Sequence, residues 1–251
     1  MPTLVLMRHG ATVSGQENRF AGWDDTRLSS TGLAAAERAA ATLAAAKFIF
    51  DICLTSRLVR AEQSLAFVQD RLRLPDRVIQ RDWRLNERHY GSLQGETREA
   101  MIEQYGNAQV VEWRRSYDAR PPQLDLQNPR WHEQLARFPD IPAQHQPRGE
   151  SLRDAVMRVS PVWSELIAPA LRAGKCVFVA AHTSSIRAIA RSIEGLDDDQ
   201  SAAFRIATAI PRCYELDGDL GVIGRTDLIQ GMESRLRYWA NRLKPRRLGR
   251  L

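Results

Sequence analysis

Two short apolar runs, each ending abruptly at a histidine, constrain this chain more than any other feature. Thr3-Leu4-Val5-Leu6-Met7 is followed by Arg8, His9 and Gly10, and Lys175 to Ala181 (KCVFVAA) is followed by His182. Continuous apolar runs of this length suit strands buried on both faces. Behind the first come the cap candidates Ser29, Ser30 and Thr31 and an alanine-rich helical stretch, LAAAERAAATLAAA. Behind the second, a helix is expected from about Ser184 to Ile193. Phe48 to Leu54 reads as another strand, closed by Thr55 and Ser56. Leu58 to Leu72 reads as an amphipathic helix, with Leu58, Ala61, Leu65 and Val68 on one face. The alternation predicts an α/β fold of three layers, α/β/α, around a mostly parallel central sheet.

The rest of the chain is less regular. Residues 83–95 (WRLNERHYGSLQG) fit neither period and read as a loop, followed by a helix from Thr97 to about Tyr105. The stretch from Tyr117 to Gly149 carries six prolines and reads as a long structured excursion; such segments are usually functional. Ser151 opens a helix, with Asp154 at capping-box spacing, that runs to about Ala173 and stops at Gly174. Cys213 to Leu216 reads as a late edge strand. Residues 1–234 are thus expected to form a single catalytic domain, with an insertion at about 83–150 over one face.

Length and composition exclude several classes. At 251 residues the chain is within reach of one core. No apolar run approaches the ~18 residues of a membrane span. MPTLVLMRHG is too short an apolar stretch for a signal peptide, and the three cysteines (Cys53, Cys176, Cys213) show no CxxC pairing. A reducing cytoplasm is therefore expected. The formal charge of +6 belongs to the end of the chain. Residues 235–251 hold seven basic and no acidic residues, leaving 29 basic against 30 acidic in the first 234. Leu236, Trp239, Ala240 and Leu243 lie there at helical spacing, so the tail is expected to be a basic amphipathic helix. No nucleic-acid motif accompanies it, and neither nucleic acid nor membrane is an expected partner.

In open α/β sheets, ligands bind at the carboxyl ends of strands. His9 and His182 sit at two such ends, Arg8 flanks the first, and Arg60 lies one turn into the helix after the second strand. Two imidazoles and two guanidiniums suit a phosphoryl group: arginines clamp its oxygens while an imidazole attacks phosphorus. Each piece alone is weak, since a histidine at a strand end is more often a packing residue. Glu87 could equally be an ion-pair partner of Arg88 or Arg84, and Arg114 with Arg115 could be solvated charge. His89, His132 and His145 read as packing or surface residues, and Cys176 as core.

The segments LVLMRHGAT, GWDDTRLSSTG, FDICLTSRLVRA, WRLNERHYGSLQG, WRRSYDARPP, ESLRDAVMRVSPVW and VAAHTSSIRA follow one another over about residues 3–217. In this the chain resembles the cofactor-dependent phosphoglycerate mutases of the histidine phosphatase superfamily. The resemblance implies a phosphoglycerate mutase-like fold with the insertion lying over the active site. It implies that His9 is the nucleophile that becomes phosphohistidine, and that Arg8, Arg60 and His182 hold the phosphoryl oxygens. Glu87 would be the general acid/base, a role that calls for a raised pKa. Asn18, Ala21, Gly22, Arg88, Tyr90, Arg98, Arg114, Arg115, Thr183 and Ser184 fall at positions that bind the substrate. Adjacent arginines do not share a helix face, so a helix end or turn must aim Arg114 and Arg115 together. The resemblance further implies a bisphosphorylated primer such as 2,3-bisphosphoglycerate, no metal, a small phosphorylated substrate, and a dimer or tetramer.

The departures from the family gather at the ligand. Ser14-Gly15 replaces a tryptophan–asparagine pair, Ala21 a threonine, Arg98 a lysine, and Thr183-Ser184 a glycine–asparagine pair. Ala207-Thr208-Ala209 replaces Pro-Thr-Gly. Each lost hydrogen bond to a charged ligand is worth about 1.5–3 kcal/mol. With the chemical core kept, the pattern implies a retuned substrate. The leading expectation is a phosphomutase of the 3-phosphoglycerate/2-phosphoglycerate type. The alternative is a phosphatase, or a mutase of another phosphorylated metabolite, and a non-catalytic binding module using the basic tail comes third.

Overall fold

The computed structural model describes residues 1–229. The tail at 235–251, expected to be helical, lies outside the described residues. In chain order the elements are β1 (Thr3–Arg8), α1 (Val13–Gln16), α2 (Ser30–Ala45), β2 (Ile52–Thr55), α3 (Val59–Leu72), β3 (Ile79–Arg81), α4 (Arg98–Tyr105) and α5 (Asn107–Arg115). They continue with α6 (Pro129–Arg137), α7 (Leu152–Val162), α8 (Ala168–Arg172), β4 (Cys176–Ala181), α9 (Thr183–Glu194), α10 (Asp198–Ala203), β5 (Arg212–Leu216) and β6 (Val222–Asp227).

The sheet runs β3-β2-β4-β1-β5-β6. The first four strands are mutually parallel, and β5 is antiparallel to both β1 and β6. Side chains of a strand alternate between faces, and in β1 both faces are buried. Leu4 and Leu6 join the core shared with α7, α8 and α9, while Val5 and Met7 join the core shared with α2 and α3. These are the three layers expected. The parallel register of β1 with β4 pairs Met7 with Ala180 and Arg8 with Ala181, and His9 N–H extends it to the Ala181 carbonyl at 3.0 Å. His9 and His182 therefore leave neighbouring strands at the same level.

Local chemistry sets most boundaries. Ser29 caps α2 through the Gly32 N–H, and Thr97 caps α4 through the Ala100 N–H. Ser151 and Asp154 form the capping box of α7. Four readings of the sequence need correction. The helix expected over 151–173 is interrupted by a π turn at Trp163–Ile167, because Pro161 and Pro169 bring no N–H to the ladder. The strand expected from Phe48 begins only at Ile52; Phe48 and Phe50 stack at 5.3 Å and are buried against the helical layer. β5 is not an edge, since β6 lies outside it. Residues 83–95 contain two short 3-10 turns, at Trp83–Leu85 and Gly91–Leu93.

The segment 83–150 carries α4, α5 and α6. Gly106, at φ +81°, lets the chain turn from α4 directly into α5. A small core of Phe20, Leu93, Met101, Val110 and Trp113 ties these two helices to the first loop, and Trp23, Leu58, Phe138 and Ile141 tie the segment after α6 to α3.

Candidate active site

His9 and His182 meet beyond the ends of β1 and β4, with ring centroids 5.0 Å apart. His9 Nδ1 lies 2.7 Å from the Gly10 carbonyl oxygen. A carbonyl only accepts, so Nδ1 carries the hydrogen, and in a neutral ring the lone pair belongs to Nε2. Burial pushes His9 well below its ordinary pKa, and the charges of Arg60 and Arg8 push it further in the same direction. The ring is therefore neutral and nucleophilic at pH 7. Gly10 is fixed by its N–H to Ser64 Oγ at 3.1 Å, and a Cβ at Gly10 would stand 2.4 Å from the Gly32 carbonyl oxygen. The carbonyl that orients His9 is thus locked between α2 and α3.

His182 is fully buried, and its pKa is also depressed, by burial first and then by Arg60, His9 and Arg8. Its Nε2 meets Ser56 Oγ at 2.7 Å, while its Nδ1 is buried without a hydrogen-bond partner. Arg60, on the first turn of α3, is 2% exposed and donates to the carbonyls of Asp24 and Gly22 at 2.9 and 2.6 Å. Burial lowers Arg60 to about 10, which leaves it charged at neutral pH. Gly22 has φ +49°, and a Cβ there would lie 2.1 Å from Gln94 Oε1, so this position admits only glycine without rearrangement.

Glu87 faces the histidines from the loop after β3. Its Oε1 accepts the N–H groups of Arg88 at 2.8 Å and Ser184 at 3.1 Å. Burial alone would raise its pKa and is the largest single influence. The two N–H donors together with Arg60 and Arg88 outweigh it and hold the carboxyl below its ordinary range. The raised pKa expected of a general acid is thus absent in the free protein. Among the described residues Glu87 forms no ion pair with Arg88 or Arg84; Arg84 is bound to Asp82 and Glu165.

The backbone bearing Glu87 is held by a buried ion pair. Arg158 of α7 meets Glu150 at 2.7 Å, and the two side chains are only 7% and 6% exposed. Arg158 also donates to the carbonyls of Arg84, Asn86 and Glu87. Glu150 Oε2 accepts the N–H of His89, whose buried ring bonds Gln134 and the Gly91 N–H. His89 is therefore a packing residue, as expected, and His132 and His145 are exposed.

Beside these groups lies a cavity of 460 Å³, and His182, fully buried, backs His9 without lining it. Arg8, His9, Asn18, Ala21, Gly22 and Arg60 line its inner side, with Glu87, Thr183 and Ser184 close by. Tyr90, Arg98, Arg114 and Arg115 line the outer side, where the C-terminal end of α5 aims both arginines of the pair. Asn18, at φ 56°, turns its amide to Glu99. Arg88 needs correction: it is 1% exposed and does not reach the cavity wall. Its guanidinium lies 4.8 Å from the Tyr90 ring centroid and bonds the Tyr90 hydroxyl and the Arg114 carbonyl, each at 3.2 Å. It supports the wall from behind. The reading of the sequence missed Arg187, Phe204, Arg205 and Ile206, which also line the cavity. Arg187 stands four residues after Thr183 on one helix face, a spacing that could have revealed it; nothing local marks Arg205.

Among the described residues no helix is long and apolar enough to cross a membrane, and no group of three or more metal-ligating side chains is assembled. Residues 4–226 match the family described as the histidine phosphatase superfamily, branch 1. A mycobacterial glucosyl-3-phosphoglycerate phosphatase in complex with VO3 is 26% identical, with 86% of this chain and 93% of that one covered and a TM-score of 0.66. A putative alpha-ribazole-5'-P phosphatase from Escherichia coli is 17% identical over 91% of this chain and 98% of its own, with a TM-score of 0.68. YhfR of Bacillus stearothermophilus is 21% identical over 91% and 96%, with a TM-score of 0.66. The last two likenesses concern the fold alone.

Proposed function

The chain belongs to branch 1 of the histidine phosphatase superfamily, and from that membership we propose that it is a phosphatase that hydrolyses, through a phosphohistidine, a small phosphorylated metabolite bearing a second anionic group. The observation that carries this reading is the His9–His182 pair, with a neutral His9 whose Nε2 lone pair is free to attack. In the first step His9 Nε2 bonds to phosphorus, and the phosphorus–oxygen bond to the metabolite breaks. The leaving oxygen needs a proton. Ionised Glu87 cannot give one until the arriving phosphoryl group crowds it with negative charge and raises its pKa. In the second step water attacks phosphorus, the nitrogen–phosphorus bond breaks, Glu87 takes the water proton, and phosphate leaves. Arg8, Arg60 and the unpartnered Nδ1 of His182 meet the charge that develops on the phosphoryl oxygens. Asn18, Ala21, Gly22, Thr183 and Ser184 shape the inner wall.

Hydrolysis is favoured over isomerisation because the 26%-identical relative carries the name of a phosphatase. That relative's named substrate, glucosyl-3-phosphoglycerate, combines a phosphoryl group with a carboxylate, the two charges that the inner residues and the Arg98, Arg114 and Arg115 wall would receive. The phosphomutase reading rests on the same outer arginines. A bisphosphorylated primer suits the donors present: Arg8 and Arg60 would hold one phosphoryl group, and Arg98, Arg114 and Arg115 the other. When bound, such a primer supplies the phosphoryl group that charges His9.

The test incubates the protein with 3-phosphoglycerate, with and without 2,3-bisphosphoglycerate, and follows 2-phosphoglycerate and free phosphate. Phosphate release without isomerisation supports the phosphatase. Isomerisation that depends on the bisphosphate supports the mutase instead. A phosphoenzyme trapped by acid quench from a panel of phosphate esters, and absent in His9→Ala, is required by both; its absence from wild type sinks both.

A further inference from the structure

Eight arginines line the cavity, and Glu87 is the only carboxylate among its lining residues. Arg19 is paired with Glu17. Among the described residues, none of the other seven forms an ion pair with a carboxylate. Arg8 and Arg60 surround His9, and Arg98, Arg114 and Arg115 occupy the segment 83–150. That leaves Arg187 on α9 and Arg205 in the loop between α10 and β5, beyond what one phosphoryl group and one further anion require.

The outer arginines reach the cavity from different elements: Arg98, Arg114 and Arg115 from α4 and α5, and Arg187 and Arg205 from α9 and the loop after α10. Beyond burial, Arg114 is depressed by the charges of Arg98, Arg115 and Arg88. Arg187, also depressed chiefly by burial, feels Arg205 and Arg88, with Glu87 and Tyr90 opposing. Arg88, buried behind the wall, is the one cation common to both.

The wall that carries Arg187 and Arg205 is built and anchored. Arg187, 9% exposed, commits its Nε to the Phe204 carbonyl at 3.1 Å. The Arg205 carbonyl accepts from Arg212 Nη1 at 2.9 Å, and Arg212 is itself held by Asp227 through two hydrogen bonds. Further on, the Ala209 N–H bonds the Arg8 carbonyl at 2.9 Å, which ties this loop to the end of β1. Phe204 and Ile206 present apolar surface between the charges. The backbone is thus fixed, while the exposed Arg205 side chain lines the cavity without a carboxylate partner, its Nη1 donating long hydrogen bonds to the Ala202 and Phe204 carbonyls at 3.4 and 3.5 Å.

We propose that Arg187 and Arg205 form a third anion subsite, which takes a carboxylate or phosphate carried by the substrate in addition to the transferring phosphoryl group and the group facing Arg98, Arg114 and Arg115. The substrate class is then a metabolite with three anionic groups on a short carbon frame that rests on Phe204 and Ile206. This deepens the phosphatase reading and relies on it only for the role of the inner residues. Guanidinium groups convey this selectivity because each meets a carboxylate or phosphate through paired N–H donors.

The test is a binding series read by calorimetry at fixed ionic strength on His9→Gln protein, which cannot turn ligand over. The probes are glycerol 3-phosphate, 3-phosphoglycerate and 2,3-bisphosphoglycerate, with one, two and three anionic groups. Affinity is expected to rise along the series. Arg205→Ala should weaken the bisphosphate at least about tenfold more than glycerol 3-phosphate, and Arg205→Lys should recover part of that difference. Equal losses for all three probes, or an undiminished bisphosphate affinity in Arg205→Ala, would overturn the subsite. Arg205 is exposed, so the variant folds. If wild type releases no phosphate from any ester but the graded binding persists, the hydrolytic reading fails and the subsite stands. Hydrolysis with a flat binding series removes the subsite alone.

Discussion

The Trp23 indole Nε1 donates to the Glu87 carbonyl at 2.7 Å. The Arg158 guanidinium, 5.6 Å from the Trp23 ring centroid, reaches the same carbonyl at 3.2 Å. The backbone of Glu87 is therefore gripped from two sides while its carboxylate stays available to the cavity. Arg158 is a positioning residue. Arg158→Met leaves Glu150 charged and buried without its partner, with an expected loss of about 3–5 kcal/mol, seen as a lower urea midpoint. Arg158→Lys keeps the charge but loses the fork that spans the carbonyls. It should lower kcat more than it raises KM, and a purely structural role would leave that ratio unmoved.

Replacement of the nucleophile separates chemistry from folding. His9→Ala should retain the wild-type circular dichroism spectrum and form no phosphoenzyme. Turnover should fall at least about a thousandfold, since a covalent step is removed and nothing else in the cavity offers a comparable lone pair.

Glu87→Gln should cost about 10²–10⁴ in turnover of an alkyl phosphate, the usual weight of a general acid/base. With p-nitrophenyl phosphate, whose leaving group departs without a proton, the first step should be largely spared and a burst of p-nitrophenol should precede slow phosphate release. Equal losses on both substrates, with no burst, would remove Glu87 from the proton path.

Acid should unfold this protein early. His9 and His182 are held well below 6.5 by burial, and His89 is pushed down to about 3. The unfolded chain binds protons at these rings below about pH 6.5, and the folded chain does not. Their stability is fully present above that pH and is lost as pH falls toward the folded values. Between pH 7 and 5.5 the three together should remove about 4 kcal/mol. Urea midpoints across that range measure it, and His89→Gln should flatten the slope by about a third.

On a carboxylated phosphate ester, Arg114→Ala should lower kcat/KM by about ten- to a hundredfold, the worth of one or two charge-assisted hydrogen bonds. On an ester without a second anion the loss should be several-fold smaller. Steady-state kinetics on glycerol 3-phosphate and 3-phosphoglycerate compare the two directly.

The central strands and the placing of both histidines were legible because burial on two faces writes an unbroken apolar run, and each run stops at a histidine that the sheet brings beside the other. β3 and β6 escaped notice: Ile79–Arg81 is three residues long, and Val222–Asp227 is half exposed, so neither leaves a periodic trace. The inner site was readable from motifs. The state of Glu87 was not, because two backbone N–H groups, one from α9, outweigh the burial that composition would suggest. Arg88 looked like a ligand residue beside Glu87, but its guanidinium is packed against the Tyr90 ring and bonded to its hydroxyl. Arg205 carries no local mark at all; only the path of the loop from α10 brings it to the cavity.

The pairing of Arg8 with Ala181 at the ends of β1 and β4 also orders events in time. His9 is made most of the described chain before the strand that completes its surroundings. Until β4 has left the ribosome and docked beside β1, His9 is a solvated imidazole with an ordinary proton affinity and no neighbour at position 182. A chain cut before β4 therefore lacks the buried, neutral His9, whose surroundings exist only once the sheet has closed.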